Sequence, residues 1–508
     1  MRYAMSPFSV AVTLLVLLTA VASSPAAILK GPYLQGVTPS SIRVRLETDT
    51  GSDSRVDYGQ TASYGSHVAG DYSTYLPVSG TYLHDVPLVG LTADTIYHYK
   101  ATTGGSSSDY HTFPTAIAPD TSFFRFAVYG DTQAGNTLTP DTSVQEMIAE
   151  GILHSNSMFV IHAGDVVYDG GIYGQWESQF FDPSSSMLFT MPFFFAVGNH
   201  ELRVPSVPFW AGTFFYWPSA PNTWYSFDYG NAHFAILDTN VDFSPGSAQY
   251  AWLVSDLGSA SKTWLFVVFH HPPYTSSSAG SQTIPTDVRQ FLVPLFETYG
   301  VDMVLNSHVH LYERSEKNNI HYIITGGGGA ELATTQQIAN PYQQYWESTY
   351  NYCTVDVSAE ELLLKARYAD GTPFDEVYVG HPPMLNLTVN PNPVAIGSQV
   401  VIHAGVQPIN STFDAWAVIL LADGQFYSML PGKGLMPGAV SLAQNVPGLA
   451  SVTDVTLLDV VIPQVVPAGA YTVAAGLFPH GTVPSSLDDA QAKAFPGYFT
   501  SEPLTITQ

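Results

Sequence analysis

A layered α/β core set between two all-β regions is the architecture this sequence predicts, and three observations carry the prediction. Between about residues 121 and 380, apolar stretches such as 158-MFVIHAGD-165 alternate with amphipathic stretches such as 141-DTSVQEMIAEGIL-153. Strands that are apolar along their whole length, separated by helices, belong to sheets covered on both faces. Before that span, short segments such as 42-IRVRLET-48 and 96-IYHYKAT-102 alternate with period two, and turn residues separate them. After it, helical periodicity vanishes and strands such as 399-QVVIHAGV-406 and 470-AYTVAAGLF-478 lie between Pro and Gly turns.

Taken in order, residues 1–26 open with Arg2 and an apolar run from Val10 to Val21, followed by small residues. That is the pattern of a cleaved secretory signal, and it places the mature chain outside the cell or in a periplasm. No other apolar run is long enough for a membrane helix, so no span is expected after cleavage. Residues 27–118 read as a small antiparallel β-sandwich. Residues 119–381 read as the α/β core, with Asp141 and Thr286 as helix N-caps. Residues 382–508 read as a second all-β sandwich. No ligand cluster marks it, which leaves contact with a surface or a glycan as its expected use.

Composition narrows the function classes. The chain has 42 acidic against 16 basic residues, a formal net charge of -26, so it would repel nucleic acids and anionic membranes. One cysteine, Cys353, excludes an internal disulfide, and its place in an alternating strand predicts a buried, inert thiol.

The chemistry gathers at strand ends. Five apolar strands of the core finish in 130-GD-131, 164-GDVVY-168, 198-GNHE-201, 267-VVFH-270 and 306-NSHVH-310. Open α/β sheets bind ligands outside the carboxyl ends of their strands, where loops converge. Carboxylates and imidazoles collected there are donors for zinc, manganese or iron. They are too many for one tetrahedral ion and enough for two. A lone Gly-Asp is ordinarily a turn. Five such endings in one domain are not.

That order of motifs resembles the calcineurin-like metallophosphoesterases and, more closely, the purple acid phosphatases. Segment 91–95, leading into Tyr97 and Tyr99, likewise looks like a fibronectin type III turn, which makes residues 27–118 the expected fibronectin III-like partner of a metallophosphoesterase core. The resemblance implies that Asp131, Tyr168 and His310 hold one metal ion, that Asn199, His270 and His308 hold the other, and that Asp165 bridges them. It implies Fe(III) at the first position, beside Tyr168, and Fe, Zn or Mn at the second. His200 would face the substrate as a general acid and Glu201 would orient its neighbours, while His162 and His233 read as core. Ser307 stands where the family has glycine, a change expected to be tolerated. The family's further substrate-facing histidines are missing from residues 274–290, leaving Arg203, His271 and Tyr274 as candidates for substrate contact.

The implied activity is hydrolysis of a small phosphate monoester by a metal-bound hydroxide attacking phosphorus in line. A phosphodiesterase or nucleotide hydrolase on the same site is the enzymatic alternative. An extracellular binding or adhesion protein with a vestigial metal site is the alternative of another kind.

Overall fold

The computed structural model of the chain describes residues 25–119, 121–203, 209–359 and 361–380, together with the backbone of the strands between Leu385 and Thr507. Residues 1–24 of the segment read as a signal peptide lie outside the described residues. Among the described residues, no helix is long and apolar enough to cross a membrane.

The site is carried by five strands: β1 (Phe124–Tyr129), β2 (Phe159–His162), β3 (Phe193–Phe195), β4 (Trp264–Val268) and β5 (Met303–Asn306). In a six-stranded sheet, β3, β2 and β1 lie side by side and parallel, with antiparallel Asn351–Val357 next to β1. In a seven-stranded sheet, β4 and β5 lie parallel between Ala232–Ile236 and Ile320–Thr325. Every residue of these five strands is buried, except Arg125, which pairs with Asp356 at 2.6 Å. That burial on both faces is why they read as continuous apolar runs rather than alternating ones.

The two sheets are joined by aromatic rings. Phe126 on β1 meets Phe234 and Phe266 edge-on, at centroid distances of 5.2 and 5.3 Å, and stacks on Phe159 of β2. Edge-to-face contact suits the quadrupoles of such rings and fixes the spacing of the layers. Helices cover the outer faces. Helix α1 (Ser143–Leu153) buries Gln145, Ile148, Ala149 and Ile152, the spacing of one helical face. Helix α2 (Ala248–Ser259) starts at Ser247, whose hydroxyl accepts from the Tyr250 amide.

The helix starts differ in detail from expectation. Thr142 occupies the cap position of α1, while Asp141 accepts from the Ser143 amide at 3.1 Å just outside it. The later helix begins at Thr283, so Thr286 lies inside it and its hydroxyl donates back to the Gln282 carbonyl. A threonine hydroxyl can satisfy either end of that exchange, so residue type alone does not mark the boundary.

Upstream, residues 28–114 form a four-stranded and a five-stranded antiparallel sheet whose apolar faces join one core through Val44, Val86, Val56 and Tyr99. Polar bonds lock this region to the α/β part: Arg45 Nη1 and the Tyr33 hydroxyl both donate to the Phe214 carbonyl, at 2.6 and 2.8 Å. Lys30 Nζ donates to Glu47 at 2.6 Å and to the Tyr173 hydroxyl at 2.7 Å, all buried or nearly so. Cys353 is buried, and burial pushes its thiol up to about 12. Downstream, Leu385–Asn390, Gln399–Val406 and Val452–Val461 form a three-stranded sheet, and the other C-terminal strands form a larger one.

Candidate metal centre

Each motif begins where a strand stops, and the backbone turns sharply to deliver it. Asp131, Asp165 and His308 all adopt left-handed backbone conformations, with φ of 58°, 58° and 71°. Non-glycine residues rarely do so, and such strain is tolerated where surrounding structure over-determines it. Here the surroundings are cross-bonds between motifs. The Asp131 amide donates to the Gly164 carbonyl and the Thr132 amide to the Asp165 carbonyl, both at 3.0 Å.

Two glycines are required by this packing. A Cβ on Gly164, itself at φ +104°, would lie 2.7 Å from His270 Nδ1, and one on Gly198 would lie 2.2 Å from Asp165 Oδ1. The backbone at these points must approach the donor side chains closely.

The structure brings the motif residues of both sheets to one rim. His270 Nε2 lies 3.1 Å from Asp165 Oδ2 and 3.1 Å from Asn199 Oδ1, and His308 Nδ1 lies 3.1 Å from His270 Nε2. His310 Nε2 stands 3.9 Å from Asp131 Oδ1, and His200 Nε2 stands 3.9 Å from Asp165 Oδ2. Donor atoms of Asp131, Asp165 and His270 fall within 4.8 Å of one another, and so do those of His270, His271 and His308.

Hydrogen bonds behind the rim decide which atoms face it. His270 Nδ1 faces the Ala163 carbonyl at 3.1 Å and Ser307 Oγ at 3.0 Å, while Ser307 donates to that same carbonyl at 2.7 Å. Both partners therefore accept from Nδ1, which carries the hydrogen and turns Nε2 to the rim. Ser307 thus helps to orient His270. Glu201 accepts from the amides of Asp165, Val166 and Gly198 at 3.0, 2.7 and 2.7 Å, tying the second and third motifs together. His200 Nδ1 meets the Tyr168 carbonyl at 2.5 Å, so its hydrogen lies there and Nε2 is open toward Asp165.

The site gathers three carboxyl groups around His270, out of water. Asp131, Asp165 and Glu201 are all buried. Burial raises Asp131 well above the usual carboxylate range. Burial opposes ionisation of Asp165 too, but the His270 ring beside it wins and holds its acid low. Reciprocally, burial lowers His270, yet Asp165, Asp131 and Glu201 lift it to about 9. Burial holds His308 down at about 3 and lowers His310, so both rings are neutral, the form that ligates metals. Both carboxylate oxygens of Asp131 are buried without a hydrogen-bond partner among the described residues. An array of this kind fits cations, since an ionised carboxylate is kept in a protein interior only by pairing or by a metal.

Tyr168, Arg203, His271 and Tyr274 take up separate positions. Tyr168 sets its ring against His200, 5.2 Å away and edge-on, with the Arg203 guanidinium 4.3 Å above its centre. Arg203 also reaches toward His200 Nδ1 at 3.5 Å, so it borders the rim. His271 is buried, with Nδ1 2.8 Å from the Thr239 hydroxyl, and its ring lies 4.5 Å from His308. Tyr274 does not join the site: its ring packs between Tyr322 and Tyr342 in the apolar core behind the second sheet. An aromatic two residues past His-His-Pro is as well suited to a core as to a substrate. His162 is core, as expected. His233 is not simply so. It lies between Asp228 and Asp256, at 2.8 and 2.9 Å, beside a surface cavity of about 360 Å³.

One site residue escaped the reading of the sequence. Gln133, two residues beyond Asp131, is only 3% exposed and lies at the rim, its Nε2 3.2 Å from His310 Nε2 and 3.5 Å from Asp165 Oδ2. The signal the sequence held was its place two residues beyond Asp131, in the segment that leaves β1.

Comparison with known proteins finds relatives of this part of the chain. Residues 124–312 match the family Calcineurin-like phosphoesterase. The chain is 29% identical over 317 residues to Purple acid phosphatase 18 of Arabidopsis thaliana, covering 56% of this chain and 68% of that one. It is 29% identical over 374 residues to a phosphoenolpyruvate phosphatase of Allium cepa, covering 68% and 70%. Relatives whose names include the words inactive purple acid phosphatase match as well. The solved structure of the purple acid phosphatase PPD1 from yellow lupin (Lupinus luteus) seeds superposes with a TM-score of 0.58 at 23% identity, over 69% of this chain and 74% of that one, a likeness of fold.

Proposed function

Starting from residues 124–312 as a calcineurin-like metallophosphoesterase domain with purple acid phosphatases among the chain's relatives, we propose that the protein hydrolyses small phosphate monoesters at the strand-end rim with two metal ions. The observation that carries the reading is Asp131: both its oxygens are buried with no hydrogen-bond partner among the described residues, and Oδ1 lies 3.9 Å from His310 Nε2 of the second sheet. Asp131, His310 and Asp165 would hold one ion, and Asn199, His270 and His308 would hold the other, with Asp165 shared. A pair of such ions supplies a nucleophilic water at neutral pH and stabilises charge on the phosphoryl oxygens.

The chain's own residues do the rest. Ser307 and the Ala163 carbonyl fix the His270 ring, and Glu201 fixes the backbone that presents Asp165 and Asn199. His200, with Nδ1 committed to the Tyr168 carbonyl, aims Nε2 into the rim; with that nitrogen protonated it donates to the leaving alcohol. Arg203, at the edge of the same opening, is placed to meet phosphate oxygens. Residues 27–118 serve as a fibronectin III-like support and residues 382–508 as a β-sandwich outside the chemistry. The leader in residues 1–26 directs the chain to secretion.

The test is turnover of an aryl monophosphate against its bis-aryl diester, after chelation and reloading with iron, zinc or manganese. Preference for the monoester is expected. Preference for the diester would move the assignment to a phosphodiesterase, and no turnover of either with two ions bound would overturn it.

A further inference from the structure

We infer that Gln133, through its side-chain amide oxygen, completes the coordination of the first metal ion, in the place that the resemblance assigns to the Tyr168 phenolate. The inference rests on the metallophosphoesterase reading and names one more residue in that site.

The argument starts from hydrogen-bond donors. His310 Nδ1 lies 2.7 Å from the Glu331 carbonyl, which can only accept, so Nδ1 carries the hydrogen and Nε2 offers a lone pair. Gln133 Nε2 points its N–H groups at that lone pair, 3.2 Å away, and at Asp165 Oδ2, 3.5 Å away. The amide NH2 therefore satisfies the same two acceptors that a cation shared by His310 and Asp165 would satisfy. Meanwhile Gln133 Oε1 is buried with no hydrogen-bond partner among the described residues, and so are both oxygens of Asp131. A buried amide oxygen without a partner costs free energy and calls for an explanation.

Ion binding resolves all of this in one move. With a cation held by His310 Nε2 and Asp165 the NH2 group would be repelled, and a half-turn about the terminal torsion, which is broad and nearly two-fold, would exchange NH2 for oxygen. The oxygen then stands where the nitrogen stood, 3.2 and 3.5 Å from the other two donors. Donors sharing one ion at bonds of about 2.1 Å, with angles between right and tetrahedral, lie about 3.0–3.4 Å apart. The 3.2 Å spacing falls within that range and the 3.5 Å spacing lies just beyond it. Tyr168 shows no such pair of contacts among the described residues: its ring lies edge-on to His200 and against the Arg203 guanidinium. A neutral amide oxygen suits a divalent ion, whereas a phenolate at neutral pH calls for a strongly acidic one such as Fe(III).

The test uses the full chain stripped of metal and titrated with Mn(II), reading stoichiometry and affinity by calorimetry and metal analysis, with circular dichroism to confirm folding. The parent should bind two ions. Gln133→Leu should weaken one of them at least about tenfold, Tyr168→Phe should leave both within about twofold, and Gln133→Glu, supplying a charged oxygen, should tighten one. Iron-loaded parent should show no visible band that Tyr168→Phe removes. Unchanged affinities in both Gln133 variants would overturn the inference, and so would a visible band abolished in Tyr168→Phe. Should Gln133→Leu not fold, Gln133→Glu decides alone, unchanged binding counting against the proposal. A parent that takes up no ion overturns the metallophosphoesterase reading itself and this inference with it.

Discussion

Removing the Glu201 carboxylate tests whether the second and third motifs are held in place by one side chain. Its two oxygens accept from three buried amides, those of Asp165, Val166 and Gly198. In Glu201→Ala all three donors lose their partner, at about 1–3 kcal/mol each. Part of that loss is offset, because burial and the neighbouring Asp165 disfavour this carboxylate and push its acid up to about 7. A net destabilisation of about 3 kcal/mol or more remains, which for a domain of this kind corresponds to a fall of about 6–12 °C in melting temperature. Glu201→Gln keeps the shape but turns an NH2 toward at least one amide, so about 1–3 kcal/mol is expected. The assay is thermal unfolding of the metal-free chain with hydrogen exchange at residues 165, 166 and 198. Protection should fall selectively at those amides. A melting temperature within about 1 °C of the parent, with exchange unchanged, would refute the claim that Glu201 ties the motifs together.

Other outcomes follow from the same geometry. His200→Ala should keep both ions and slow turnover more for poor leaving groups than for good ones; equal slowing, measured over a series of aryl phosphates, would remove the acid role. His233 is lowered by burial, but Asp228 and Asp256 more than reverse this and lift it to about 9, above its ordinary 6.5. Its ion pairs therefore add stability that is fully present below pH about 6.5 and is lost as pH rises through 9. His233→Gln should flatten that part of the stability profile, seen by denaturant unfolding across pH. Truncation after Gly380 should leave metal content and turnover intact, and a folded, metal-loaded but inactive product would contradict the assignment of chemistry to the α/β part.

Much of the site was legible because metal chemistry restricts both residue type and place. Carboxylates and imidazoles had to stand at the carboxyl ends of parallel strands, and those strands, buried on both faces, show as apolar runs in the sequence. Asp131, Asp165, Asn199, His270, His308 and His310 do converge from two sheets, as the motif order implied. What stayed hidden depended on side-chain direction. Tyr274 and His271 both follow the fourth motif closely, yet Tyr274 turns into the core while His271 meets Thr239 and stays beside His308. His233 alternates into a strand like a core residue, but its partners lie five and twenty-three residues away and reach it only through the fold. Gln133 went unnoticed because an amide is neither acid nor base, and its place beside His310 is set by a contact 177 residues along the chain.

The central claim is that the strand-end rim holds two ions that together act on a phosphate monoester. Metal content per chain, measured with the initial rate on an aryl monophosphate for the parent and for Asp165→Ala, tests it most directly, since Asp165 is the one side chain assigned to both ions. The account predicts two ions and steady turnover in the parent, and a folded Asp165→Ala chain that has lost metal and rate together. A parent that turns over substrate without metal, or an Asp165→Ala chain that keeps two ions and full rate, would contradict it.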